Sequence, residues 1–132
     1  MRTLPILANR YWNDTGVQLT EGARYRMTVV PGAGSPLRDA QFTARSIAGE
    51  DWKSLAHKSA ELVHGKRIDD ARWFALIGTV EREQPWVVTD GGVVTAPASG
   101  ALVCFFNDVQ LELFYRNNDG SVVLDVDEVT TP

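Results

Sequence analysis

Alternation of apolar and polar side chains with a period of two dominates this chain. That period builds strands with one buried face and cannot build an amphipathic helix. In Ala23-Arg24-Tyr25-Arg26-Met27-Thr28-Val29 the odd positions are apolar and the even ones polar. Val17-Gln18-Leu19 alternates ahead of it, and the intervening Thr20-Glu21-Gly22 is a turn signal, so the two segments read as a hairpin. Trp86-Val87-Val88-Thr89 and Val93-Val94-Thr95 flank Asp90-Gly91-Gly92 and read as a second hairpin, since Asp-Gly supplies the positive φ of tight turns. Trp73 to Val80 and Ala101 to Phe106 are apolar on both faces, which places them in the middle of packed sheets. Ser121 to Asp127 alternates again and closes the domain, with Val122, Leu124 and Val126 inward.

One segment departs from the strand period. Between Asp51 and His64, Trp52, Leu55, Ser59 and Leu62 recur at helical spacing, and Gly65 stands where a C-terminal cap belongs. His64 falls in the last turn, where the helix dipole favours a cation. Pro31 to Pro36 and Ser46 to Glu50 read as loops. Short strands broken by Gly, Pro, Asn and Asp turns predict a mainly β fold: an antiparallel, jelly-roll-like β-sandwich with one inserted helix around 51–64. At 132 residues it is expected to be one domain, 1–132, which buries roughly two-thirds of its unfolded surface.

Composition removes several functions. Hydrophobic residues at 44% with charged residues at 23% argue against disorder. A net charge of −4, with basic residues scattered, does not suit nucleic acid, which requires a cationic stripe. No apolar run is long enough to span a bilayer, and no tripartite leader opens the chain. The expected location is therefore cytoplasmic, or outside the cell by export without a cleavable signal peptide. Cys104 lies in an apolar run and reads as an inert core thiol. His57 and His64 do not have the i, i+4 spacing of a zinc pair, and both read as solvent-facing or capping residues. Asp125, Asp127 and Glu128 read as a solvated face, and no phosphate-binding glycine loop is present. The chain is expected not to be an enzyme.

The pattern that rises above this background is Phe106-Asn107-Asp108 followed, after a stretch of eight residues, by Asn117-Asn118-Asp119-Gly120-Ser121. If the strands that carry them are neighbours, Asp108, Asn117 and Asn118 meet at one end of the sandwich. Hard oxygen donors suit Ca2+, which takes six to eight of them at about 2.3–2.6 Å. One carboxylate and two amides are too few. Carbonyls from Leu113 to Tyr115, others from the Gly32 to Pro36 loop, and water are needed to complete the shell. A partly hydrated ion can exchange water for two adjacent sugar hydroxyls, which Asp108 and Asn117 can also bond, with Tyr115 or Trp12 as a stacking face. The same residues also read as a plain turn, because Asn, Asp and Gly all tolerate left-handed backbone. The stretch Val109, Leu111, Leu113, Tyr115 alternates and can itself be a strand.

At these residues the chain resembles the calcium-dependent, galactose-binding bacterial lectins of the PA-IL type. The resemblance runs from Gly100-Ala101-Leu102 through Phe106-Asn107-Asp108-Val109 to Tyr115-Arg116-Asn117-Asn118-Asp119-Gly120-Ser121-Val122. A looser match covers Trp12-Asn13-Asp14-Thr15-Gly16-Val17 and the loop Gly32-Ala33-Gly34-Ser35. The resemblance implies a small sandwich in which calcium bridges protein and sugar. Asp108, Asn117 and Asn118 would be side-chain ligands, Asp108 and Asn117 would also touch sugar, and carbonyls near Phe114 and near Gly34 or Ser35 would complete the shell. The chain departs from that family in two places. Its segment between Asp108 and Asn117 is longer and carries Leu111, Leu113 and Phe114, and nothing between Asp39 and Asp70 matches the family's sugar-contacting His and Gln.

Two functions follow. The first is a calcium-dependent, lectin-like module whose partner is a carbohydrate or glycoconjugate. The second is a non-catalytic protein-interaction or structural sandwich without a sugar site, to which the apolar Leu111, Leu113 and Phe114 point. Homo-oligomer contacts through the helix are compatible with both.

Overall fold

The alternation around Tyr25 and Met27 is realised as a strand whose arginines face solvent while Tyr25 and Met27 are buried. The computed structural model describes residues 1–130. In chain order its elements are β1 (Ile6–Leu7), β2 (Asn13–Leu19), β3 (Arg24–Val29), β4 (Ser35–Asp39), β5 (Phe42–Ala44) and helix α1 (Leu55–His64). Then come β6 (Leu76–Val80), β7 (Glu83–Val87), β8 (Gly92–Thr95), β9 (Gly100–Phe106), a 3-10 helix (Glu112–Asn117), β10 (Asn118–Val122) and β11 (Leu124–Glu128). The strands form three antiparallel sheets in the orders β2-β9-β6-β7, β11-β3-β8 and β1-β10-β4-β5. This is the expected β-sandwich with an inserted helix.

The two strands expected in the middle of a sheet are there. β9 and β6 are the inner strands of their sheet, and all of β6 is buried. One face of this sheet puts Leu76, Leu102, Cys104 and Phe106 into the main core with Ile6, Met27, Leu124 and Val126. The other puts Ile77 and Phe105 under a second cluster with Ala71 and Ala75, flanked by Trp12 and Ile68. Burial of each such large side chain contributes about 1.5–3 kcal/mol.

Neither expected hairpin forms as a paired ribbon. The Thr20 turn is present, with Ala23 N–H donating to the Thr20 carbonyl at 3.0 Å, but β2 pairs with β9 while β3 pairs with β11 and β8. At the Asp90-Gly91 turn, β7 leaves one sheet and β8 enters another. In the first case β2 and β3 put Val17, Leu19, Tyr25 and Met27 into the main core from separate sheets, and in the second Trp86 and Val94 pack partly buried against it. The closing strand is likewise split, β10 and β11 joining different sheets on either side of Val123, although Val122, Leu124 and Val126 are all buried as expected. Two true hairpins, β4–β5 and β6–β7, turn at Ala40 (φ 52°) and at Glu81 and Arg82 (φ 52° and 68°). These are residue types that do not advertise positive φ.

Helix α1 ends as expected before Gly65 but starts at Leu55, four residues past Asp51, because Ser54 is its N-cap. The Ser54 side chain accepts from the His57 N–H, and Gly65, at φ 73°, donates its N–H to the Glu61 carbonyl. Its buried face is not the expected one. Leu55 and Leu62 are 82% and 88% exposed, and the helix presents His57 inward instead. The segment after Asp108 is neither strand nor simple turn. It is the 3-10 helix, with Val109 and Tyr115 inward and Leu111 and Leu113 outward.

Candidate functional site

Asp108 comes two residues after β9, and Asn118 opens β10 in a different sheet. The expected adjacency of strands is therefore absent, yet the side chains meet. The 3-10 helix turns the chain back, and Asn118 Nδ2 donates to Asp108 Oδ2 at 2.8 Å and to the Ala8 carbonyl at 3.1 Å. Asp108 Oδ1 accepts from the Val109 N–H at 2.7 Å. Both side chains are 4% exposed. Burial pushes the Asp108 carboxyl up to about 6, against the bonds from Asn118 and the Val109 amide, and the nearby Asp39 carboxylate adds to the rise. Asn118 Oδ1 is buried and has no hydrogen-bond partner among the described residues. An orphan of this kind costs about 1–3 kcal/mol unless a bound water, ion or ligand meets it.

Asn118 is placed by its pairing with Asp39 across β10 and β4. The approach of those strands requires Gly120, at φ 101°, where a Cβ would come 2.1 Å from the Pro36 carbonyl oxygen. Asp39 is itself buried, and its Oδ2 lies 2.8 Å from His57 Nε2. A carboxylate beside Nε2 sets the proton on that nitrogen, so in the neutral ring Nδ1 accepts the Ser54 hydroxyl at 2.7 Å. His57 is thus not solvent-facing. It is 6% exposed, and its ring lies 4.7, 4.9 and 4.8 Å from those of Phe42, Trp52 and Trp73. His64 is exposed, with its ring 5.3 Å from that of Phe114.

These groups wall one cavity of about 440 Å³, lined by Asp39, Phe42, Ser54, His57, Trp73, Asp108, Phe114 and Asn117 among others. Asn117 is exposed at its edge, and its carbonyl accepts from the Ala40 N–H. Of the sequence-derived set, Asp108, Asn117 and Phe114 line this cavity, and Asn118 lies behind it, bonded to Asp108. The Gly32 to Pro36 loop does not join them. Gly34 and Ser35 line a separate hollow with Asp90 and Ser121, because β4 carries the chain from that loop to Asp39. Tyr115 is not a stacking face either. It is 1% exposed, donates its hydroxyl to the Phe106 carbonyl at 2.7 Å, and has its phenol pKa raised by burial. Trp12 lines a different cavity.

Sequence reasoning missed Asp39 and His57. The signals were a carboxylate on the same strand parity as the buried Leu37, and a histidine three residues after an N-cap serine. Asn107 is structural. Its side chain makes four hydrogen bonds of 3.0–3.2 Å to the backbone of Ile68, Ala71 and Arg72, pinning the loop that covers the second apolar cluster. Among the described residues no three His, Cys, Asp or Glu side chains form a metal-binding group. A cation held here would rest on Asp108, amide oxygens and main-chain carbonyls, a donor set of the calcium type. The orphaned Asn118 Oδ1 and a buried carboxylate without a lysine or arginine partner fit such an ion.

No protein-family model matches the chain, and no curated protein matches it in sequence. Among solved structures, the N-terminal domain of EclA, described as a PllA-like lectin, superposes with a TM-score of 0.65. The match covers 98% of this chain and 97% of that domain at 18% sequence identity. The chain therefore shares the fold of a lectin domain.

Proposed function

We propose that the chain is a carbohydrate-binding module whose ligand enters the cavity walled by Asp39, His57, Asp108 and Asn117, with calcium as its cofactor. The observation that carries this reading is the pairing of a buried carboxylate, Asp108, with a buried amide oxygen, Asn118 Oδ1, that has no partner. The shared fold with a lectin domain supports it at a coarser level. Asp108, Asn118 and Asn117 would hold the ion with main-chain carbonyls, including that of Phe114. Bound there, the ion supplies a fixed positive charge that attracts vicinal hydroxyls. Asp108 accepts from a sugar hydroxyl, the Asn117 amide can donate or accept, and Phe42 and Phe114 offer aromatic faces to the C–H side of the ring. Asp39 and Ser54 fix the orientation of His57 at the inner wall.

The test is a thermal titration with Ca2+ followed by a glycan screen with and without chelator. The reading expects a calcium-dependent rise in Tm that Asp108→Ala abolishes, and glycan binding that chelator removes. Calcium indifference in the intact chain overturns the metal part, and an empty screen at saturating calcium overturns the sugar part.

A second reading is favoured by one observation. Leu55, Leu62 and Val63 on α1 and Leu113 beyond Asp108 are 82%, 88%, 72% and 60% exposed, which suits a protein-interaction surface. It moves to the front if neither calcium nor glycan binds.

A further inference from the structure

A second cavity, of about 180 Å³, lies over the sheet face that carries Ile77 and Phe105, and shares no lining residue with the first. Arg67 and Arg82 both line it, together with Trp12, Thr79 and Gln110. The Arg67 guanidinium lies 3.6 Å from the ring centroid of Tyr11 and 3.4 Å from that of Phe105, with Trp12 at 4.4 Å. Its Nη1 donates to the Tyr11 carbonyl and, at 3.1 Å, to the Tyr115 hydroxyl. Flanking aromatic faces and two fixed acceptors hold the plane of the group in one orientation. Packing of this kind explains how the side chain covers the apolar cluster, but it uses one nitrogen only. Among the described residues, Nε and Nη2 have no acceptor, and no carboxylate pairs with Arg67.

Arg82, in the β6–β7 turn, lies 5.2 Å from the Trp12 ring centroid and also lacks a carboxylate partner. Glu112, which lines the adjoining hollow with Arg82, pairs with neither arginine. Two uncompensated guanidinium groups, one of them half-buried and immobilised, thus share one small cavity in a chain whose net charge is −4. The Nε–Nη2 edge of a guanidinium is a fork that gives two parallel hydrogen bonds to a carboxylate, sulfate or phosphate.

We propose that this cavity is a second ligand site, one that takes an oxyanion group, with Arg67 as the oriented fork and Arg82 as the second charge. The planar and tetrahedral sources of that chemistry are separable by probe. Sodium acetate, sodium sulfate and inorganic phosphate are titrated at constant ionic strength, while the arginine Nε–H resonances are followed by NMR. The proposal expects a saturable shift of the Arg67 Nε–H signal with at least one probe. A tightest fit for acetate identifies a carboxylate, and for sulfate or phosphate a tetrahedral anion.

Arg67→Lys keeps the charge, loses the fork and is expected to abolish the saturable shift at the remaining reporter, the Arg82 Nε–H resonance. Because that change also disturbs packing, Arg82→Gln at the exposed turn is the second variant, expected to weaken binding about two- to fivefold, the weight of one exposed charge. Asp108→Asn is expected to bind all three probes like the unaltered chain. A failure of the calcium and sugar reading is therefore distinguishable from a failure here. Absence of any saturable shift, or binding unchanged in both arginine variants, overturns the proposal.

Discussion

The Asp108 carboxylate is buried against an amide whose own oxygen has no partner, and its titration follows from that setting. Its folded pKa, about 6, lies above the ordinary value of 3.8 because burial disfavours the charge. The group therefore costs nothing below the unfolded value, costs more as pH rises through the window between the two, and carries its full penalty above about pH 6. That penalty is on the order of 1–3 kcal/mol. Chemical denaturation across pH 4–8 without divalent cations should show Asp108→Asn more stable than the unaltered chain at pH 7.5, the gap closing towards pH 4. Saturating calcium should remove the gap, because an ion beside the carboxylate cancels the penalty in the unaltered chain alone. Cys104 is the other buried ionisable side chain with a simple cause. Burial pushes its thiol up to about 12, so it should resist a disulfide exchange reagent at pH 8 until the protein is unfolded.

Elements place these residues through a few contacts that single substitutions can break. Gly120 lets β10 close on β4 and so sets Asn118 beside Asp39. Gly120→Ala should destabilise the fold by about 1–3 kcal/mol from backbone strain, and weaken the calcium response as that register loosens. Denaturation midpoints with and without calcium measure both effects. Asn107→Ala removes all four bonds that hold the 68–72 loop over Ile77 and Phe105. The expected loss is about 2–4 kcal/mol, with faster hydrogen exchange at Ile68, because a buried backbone left without partners carries the full desolvation penalty. The start of α1, set by Ser54 rather than at Asp51, was not legible, but its C-terminal end was, because capping by Gly65 is local. The buried face of the helix was not legible. Leu55 and Leu62 mark an apolar stripe in the sequence, and the fold turns that stripe to solvent in order to bring His57 to Asp39.

For the whole molecule, a ligand that binds only the folded state raises stability by mass action. Calcium at one hundred times its dissociation constant should add about 2.7 kcal/mol, a rise of several degrees in Tm for a domain of this size. Scanning calorimetry of the intact chain measures it. No helix among the described residues is long and apolar enough to cross a membrane. The sequence by itself determined the strand period, the inward set Tyr25, Met27, Val122, Leu124 and Val126, the fully buried β6, the largely buried β9, and the C-terminal cap of α1. Each of these is fixed by side-chain chemistry within a few residues. It also singled out Asp108, Asn117 and Asn118, because oxygen-bearing side chains beside an apolar strand stand out from their neighbours. Tertiary structure alone decided which sheet each strand joins, that Asp108 and Asn118 meet through a 3-10 turn between non-adjacent strands, and that Asp39 and His57 complete their cavity. Those outcomes depend on which apolar faces close on one another across the core. That choice is made by the total surface buried, and no local stretch of sequence carries it.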